Sequence, residues 1–491
     1  MPEGLEVSDF KAQVPLQSLL EKTVRRWLLV ESNKEMVDRI RDENNGSAKM
    51  ELLWRWGFDG TGSQAVYHMA NESGDATKKE TTLFATQMTP INVKHLGNGD
   101  VIWKNRRANC ACTCRPIRLC YEKEDKESIQ AEYNRMIDEI EALNDFEPIP
   151  GVTFSFADIK TAFDGKCLTY ILDEPSSQNC PLCSATPKQM STPGTEFKLK
   201  DMPNILDHGF GSLHVRLRAA VCVLNMGKRS RIKKHFTKLT QRDHLSMARR
   251  EDEIKEYLWQ HLSVRVGDVG GETGTSLTGN VARKLFGNPR VFAEACEVPE
   301  ELVKQLAIIC NAIACRYELD PVKFELACSK FMDIYYGFFL KPNQTTAWFK
   351  LPQTVHKVVA HGRQLLENLP CPPGLASEES PEANNKNLRE FRKSFARKSK
   401  RSYTMYDVMQ RLLVRSDPYI LSFSEEKALK KATILPIEPE IQAMLKNTQE
   451  HDDLVNEPED EAIEDEVIDL EPLAEEPLDE EPLDEEPMDE D

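Results

Sequence analysis

Four residues in two distant places constrain this 491-residue chain more than any other feature: Cys180 and Cys183 in "CPLCSAT", and His356 and His361 in "TVHKVVAHG". A lone C-x2-C pair that holds a metal needs two more ligands from elsewhere, and H-x4-H lies within the spacing range of zinc ligands. Joined, the four make a closed Cys2His2 site that pins together segments more than 170 residues apart. The alternative is a surface loop and two ordinary helix histidines, and spacing alone leaves both readings open.

The 13 cysteines are odd in number, irregularly spaced and not preceded by a secretory signal, so they read as reduced thiols and metal ligands, not a disulfide framework. With 40% apolar residues the chain can bury a sizeable core. Its start, "MPEGLEVSDFKAQ", lacks a basic segment followed by an apolar run, and no stretch approaches the length of a membrane span. The net charge of −18 divides unevenly. Residues 452–491 carry 22 acidic side chains and no Lys or Arg, which leaves +4 on residues 1–451. The tail holds four units, "EPLAE", "EPLDE", "EPLDE" and "EPMDE", whose proline and charge oppose helix and collapse, so it is expected to be disordered.

Periodicity predicts helix before residue 50, with Leu16, Leu19, Leu20, Val24, Leu28 and Leu29 near a 3.6-residue repeat. Strands are predicted in "ELLWRWGFDG", "TTLFATQMTPINVKHL" and "DVIWKN", then a helix over 122–144, then a strand starting at "GVTFSF". Three strands, a helix and a strand suit an α/β sheet of ribonuclease H type, and several α+β folds share that order. Residues 204–336 read as mainly helical, and "PEANNKNLREFRKSFARKSKR" as one further helix.

Carboxylates flank both halves of the cysteine–histidine set. Asp164, in "AFDGKC", lies 16 residues before Cys180, and Glu378, Glu379 and Glu382 begin 17 residues after His361. A second "FDG" supplies Asp59 at the end of a predicted strand, where a plain Asp-Gly hairpin turn is the alternative. Three converging carboxylates can bind two divalent cations about 3.5–4 Å apart for phosphodiester chemistry. Hard Mg²⁺ or Mn²⁺ suits such oxygens, whereas zinc suits the thiols and imidazoles.

Between Trp56 and Phe423 the stretches "GFDGTGSQ", "CRPIRL", "AFDGKC", "CPLCSAT", "GSLHVRLR", "TGNVARKLF", "TVHKVVAHG", "EANNK" and "SDPYI" follow one another in an order that resembles the Transib superfamily of DNA transposases. They also resemble its relative, the catalytic core of the larger recombination-activating protein of V(D)J recombination. The resemblance implies a ribonuclease H-like α/β domain of DDE type interrupted by a helical insertion, with Asp59, Asp164 and Glu379 as ligands of two Mg²⁺ or Mn²⁺ ions. Glu378 and Glu382 compete with Glu379, and Asp158 with Asp164. It places one structural zinc on Cys180, Cys183, His356 and His361. The expected organisation is then a helical segment at 1–50, where a DNA-binding or dimerisation region would stand, and a core at 51–187. A helical insertion at 188–350, a segment at 351–423 with the His pair and catalytic Glu, a linker at 424–451 and the acidic tail follow.

The implied activity is nicking at transposon ends by metal-activated water, followed by attack of the released 3′-OH on the opposite strand to give a hairpin. The implied partners are double-stranded DNA with terminal inverted repeats and a second copy of the chain, in the nucleus and without a membrane. A domesticated DNA-binding protein that keeps the fold without transposing is the alternative. Lys386, Arg389, Lys393, Arg397 and Lys400 are expected to share one helical face, a stripe suited to phosphates, and "GKRSRIKKH" is a second basic run. Both also suit nuclear import. The resemblance puts His214, in "GSLHVRLR", near the active site as a phosphate contact, with a structural histidine as the alternative. Cys110, Cys112 and Cys114 in "NCACTC" are expected not to bind metal.

Overall fold

The computed structural model describes residues 1–61, 82–232, 239–267, 275–339, 350–430, 438–446 and 468–470. Its centre is a mixed eight-stranded sheet whose path runs β1 (Glu6–Val7), β2 (Lys11–Gln13), β6 (Arg115–Cys120), β4 (Leu83–His95), β3 (Ala48–Thr61), β8 (Val152–Ala162) and β7 (Phe146–Ile149), with β5 (Val101–Lys104) beside β4. Strands β3, β4 and β6 form an antiparallel meander, and β8 returns parallel to β3. Both central strands are buried along nearly their whole length, as strands covered on two faces must be. Pro90 is tolerated inside β4 because it sits where the β3–β4 register slips, at a bulge.

The expected strand in "DVIWKN" is the short β5 at the end of β4, and the third strand of the meander is β6, which the sequence pattern did not announce. The reason is chemical. Arg115 and Arg118 interrupt the apolar pattern of β6, and burial is made tolerable by partners: Arg118 pairs with Glu132, and Arg115 donates to the Ser416 carbonyl.

Helices cover the sheet. In α1 (Leu16–Trp27) the residues Leu16, Leu19, Leu20 and Val24 are buried, and Trp27 packs edge-on to Phe154 with ring centres 6.2 Å apart. With α2 (Glu31–Glu43) and strands β1 and β2, residues 1–50 are part of the central core and not a separate appendage. Helix α3 (Lys126–Glu141) starts at Asp125, whose carboxylate accepts from the Ser128 amide at 3.0 Å, and makes the crossover to β7 and β8. Helix α4 (Gly165–Ile171) follows β8 directly.

A second core is helical. It contains α5 (Pro187–Met190), α6 (Ser212–Arg229), α7 (Gln241–Leu262), α8 (Gly279–Phe286), α9 (Pro289–Cys296), α10 (Glu300–Ile313), α11 (Pro321–Phe339) and α12 (Gln353–Asn368). Helix α6 is buried on nearly every side, which places it at the centre. Ile441, Met444 and Leu445 pack into this core, so part of the expected linker is built into the fold. The chain then returns to the sheet with α13 (Glu379–Glu390), α14 (Arg401–Arg415) and α15 (Pro418–Lys430). Arg26 of α1 meets Asp417 at 2.7 Å, just before α15.

The expected single helix over 381–401 is broken. Helix α13 stops at Glu390, a π-turn spans Phe391–Phe395, and α14 begins only at Arg401. The acidic tail lies outside the described residues except for β10 (Ile468–Leu470), antiparallel to β9 (Thr275–Leu277). Among the described residues no helix is long and apolar enough to cross a membrane.

Candidate functional site

The cysteine–histidine set converges. One ligand atom from each of Cys180, Cys183, His356 and His361 lies within 4.8 Å of the other three. The cysteines occupy a tight loop in which the Ser184 amide donates to the Cys180 carbonyl at 2.8 Å and the Cys180 amide to Ala185 at 2.9 Å. Both histidines come from α12. Cys183 Sγ is 3.5 Å from His356 Nε2, while His361 is 0% exposed with neither ring nitrogen hydrogen-bonded. The hydrogen bond between the thiols pushes Cys180 up and draws Cys183 down. A buried imidazole with two orphaned nitrogens beside a lowered thiol is costly for a protein alone and fits the coordination of one metal ion.

A second cluster is made mainly of carboxylates, with the Cys167 thiol beside them. Asp59 lies near the end of β3, Asp164 caps α4 and accepts from the Cys167 amide at 2.6 Å, Glu382 comes from the first turn of α13, and Glu124 from the segment before α3. The carboxyl groups of Asp59 and Glu382 face each other, close enough to share a proton when one of them is protonated. Ligand atoms of Glu124, Asp164 and Cys167 lie within 4.8 Å of one another, and Lys166 approaches Glu124 at 3.6 Å. Burial, and then the charges of Glu382 and Asp164, raise Asp59 well above the ordinary carboxylate range. Burial followed by Asp164 and Asp59 pushes Glu124 up to about 8, and Glu382 is raised by burial and by Asp164. Burial and neighbouring negative charge thus oppose ionisation of Asp59, Glu124 and Glu382.

Gly57 sets the strand beneath this cluster. A Cβ there would lie 1.7 Å from the Ala162 carbonyl oxygen, so only glycine lets β3 and β8 close two residues before Asp59. Helix α13 is fastened to the same strands. Asn385 donates to Asp59 at 2.6 Å, Asn384 to Gln87 of β4 at 2.6 Å, and the buried Arg55 to Ser380 at 2.7 Å and to the Leu375 carbonyl at 2.6 Å. The paired asparagines of "EANNK" are thus tethers from one helix to two strands.

Glu379 does not join the carboxylates, and its expected placement is corrected. It faces away, to Arg216 of α6 at 3.3 Å and Arg283 of α8 at 2.7 Å. Burial pushes its carboxyl up, but Arg283 and Arg216 outweigh it and hold the group at about 2. Glu382 occupies the place beside Asp59. Glu378 bonds His214 instead. Asp158 accepts from the Trp56 indole at 2.9 Å and stands apart from Asp164.

The basic residues do not form one stripe, because the π-turn rotates the chain after Glu390. Lys386 and Arg389 belong to α13; Lys393 is in the π-turn; Arg397 pairs with Asp407 at 2.8 Å and stacks over Tyr403; Lys400 precedes α14. In the other run Lys228 pairs with Glu251 and Arg231 with Glu297 and Glu253, and residues 233–238 lie outside the described residues. Cys110, Cys112 and Cys114 take part in packing, with Cys114 Sγ 3.2 Å from Gln87. Glu124 and Arg55 were not anticipated: Glu124 sits in "YEKED", which reads as a solvated charge run, and Arg55 in a strand with no sign of its carbonyl partners.

Compared with protein-family models and with curated proteins, the chain matches none.

Proposed function

We propose that the chain is a DNA transposase or recombinase that cleaves and rejoins phosphodiesters at a carboxylate-held pair of divalent cations. The mutual electrostatic influence of Asp59, Asp164, Glu382 and Glu124, with Glu124 and Asp164 within 4.8 Å of each other, carries this reading. Strand order adds support, since an antiparallel meander with a fourth strand parallel to its first, reached through a helix, suits a ribonuclease H-type sheet. The Transib resemblance points to the same chemistry, with Glu382 in the role first expected of Glu379.

Mg²⁺ or Mn²⁺ bound there would supply an activated attacking oxygen and charge stabilisation at the leaving oxygen. Asp59 and Glu382 form one wall of the site, and Asp164, fixed by its capping hydrogen bond, forms another. Asn385 orients Asp59. Glu379 holds the insertion helices α6 and α8 to the catalytic helix through its arginines. Cys180, Cys183, His356 and His361 would hold a structural zinc that locks α12 to the loop following α4. Double-stranded DNA with terminal inverted repeats is the proposed substrate, for a homodimer acting in the nucleus.

The test is Mg²⁺-dependent nicking of duplexes taken from inverted repeats that flank the encoding DNA. Wild-type nicking that Glu382→Gln abolishes supports the reading. Cleavage by Glu382→Gln at the wild-type rate removes that residue from the site.

A further inference from the structure

One short stretch of the acidic tail differs from the rest. From Pro472 to Pro487 a proline recurs every five residues, but none stands between Pro458 and Pro472, and that interval holds Val467, Ile468, Asp469 and Leu470. Two β-branched residues are followed by a charged and an apolar one, so Ile468, Asp469 and Leu470 alternate as a strand does. The strand forms. It is β10, antiparallel to β9, with Ile468 opposite Leu277, Asp469 opposite Ser276 and Leu470 opposite Thr275. Pro472 has no N–H with which to extend such a ladder.

Among the described residues β9 pairs with no other strand, so without the tail its backbone offers an open edge to an added strand. The edge is firmly mounted. Leu277 is 1% exposed and belongs to the helical core, and Thr278 caps α8 by accepting from the Val281 amide at 3.2 Å. Helix α8 in turn carries Arg283, which meets Glu379 at 2.7 Å at the start of α13, the helix that presents Glu382. The tail is therefore anchored one helix away from the carboxylate cluster.

Docking fixes charge as well as backbone. Glu464, Asp465 and Glu466 precede the ladder and Glu471 follows it, within a tail of 22 carboxylates set against a body of net charge +4. A short ladder is a weak contact between separate molecules, but a strand on its own chain is present at an effective concentration on the order of millimolar. A polyanion held there competes for the cations that a nucleic acid's phosphates would use.

We propose that residues 467–470 are a tethered strand that docks on β9 and holds the acidic tail against the body as an intramolecular competitor of DNA. The docking rests on the backbone ladder; the competition rests on the reading of the chain as a DNA-acting protein. The test uses the full chain, the chain ending at residue 451, and the double variant Ile468→Pro with Asp469→Pro. Neighbouring residues alternate between bonded and non-bonded positions, so two consecutive prolines remove a ladder bond in either phase. Asp469→Asn is the control, losing the same charge while keeping its N–H. Neither core includes a described residue of the tail, so these changes leave the body folded.

Hydrogen exchange of the segment 275–277 should be about tenfold faster in the truncated chain and in the double proline variant than in the full chain or in Asp469→Asn. Both fast-exchanging forms should also bind a short duplex about three- to tenfold more tightly at low salt, with the gap closing as salt is added. Exchange at 275–277 that is indifferent to truncation and to the prolines overturns the proposal. So do superimposable low-salt isotherms for the full and truncated chains. Binding of duplex by neither form overturns the transposase reading, and the competition with it, while the exchange result still decides the docking.

Discussion

Asn385 donates its side-chain N–H to Asp59 Oδ2 at 2.6 Å, tying helix α13 to strand β3 at the point where Glu382 meets the same aspartate. Glu382 and Asn385 are three positions apart and share one helical face, so one helix presents a charge and its tether together. Asn385→Ala should leave Asp59 free to rotate. The expected outcome is a 10- to 100-fold fall in nicking rate, on the order of losing a residue that orients a ligand, with little change in DNA affinity. Unchanged kinetics would show that Asp59 needs no tether.

The crowding of carboxylates makes stability depend on pH in a definite direction. Asp59, Glu124 and Glu382 are all raised in the folded protein, Glu124 to about 8. The folded state then binds more protons than the unfolded one, and stability falls as pH rises from the ordinary carboxylate range through the raised values. In a chelator that spares the cysteine–histidine site, the unfolding temperature should fall between pH 5 and 9, by about 1 °C for each kcal/mol lost in a chain of this size. Millimolar Mg²⁺ or Mn²⁺ should flatten the curve. A profile that rises with pH, or is insensitive to both ions, would contradict the clustering.

How much of this was legible in the sequence depends on whether a residue's role was set locally. Asp59 and Asp164 could be read because each stands in an "FDG" at the end of a strand, and the cysteines and histidines because ligand spacing is itself a local signal. Glu379 and Glu382 could not be told apart, since what distinguishes them is Arg216 and Arg283, contributed by helices about 100 or more residues away in the chain. The β6 strand was obscured for a related reason: its two arginines look exposed until Glu132 and the Ser416 carbonyl are placed beside them. The broken helix after Glu390 had no Gly or Pro to announce it, so the basic stripe seemed continuous.

The arginine pair around Glu379 should be more important to stability than to chemistry. Arg216 is 3% exposed and Glu379 is held between it and Arg283. Removing one partner of a buried pair leaves the other charge uncompensated, so Arg216→Ala should destabilise by about 3–5 kcal/mol. The double variant Arg216→Ala with Glu379→Ala should cost less than the sum of the single changes. Chemical denaturation of the four proteins measures the coupling; strict additivity would mean that the pair does not hold the insertion to α13.

The cysteine–histidine site should dominate all of these in its effect on folding. It joins a loop after α4 to α12 across the length of the helical insertion, and His361 has no other partner for its ring nitrogens among the described residues. A metal bound by the folded state alone adds its binding free energy to stability. Elemental analysis should find about one zinc per chain. Cys183→Ser and His361→Ala should each destabilise by about 4 kcal/mol or more, the range associated with losing a metal, whereas Glu382→Gln should leave the unfolding midpoint nearly unchanged or raise it by relieving repulsion. Strong chelators should lower the wild-type midpoint toward that of the cysteine variant, and excess zinc should restore it. A wild-type protein that is equally stable with and without zinc would reduce the four residues to packing, and the fastening of α12 would then have to come from the apolar contacts of Val355, Val358 and Leu365.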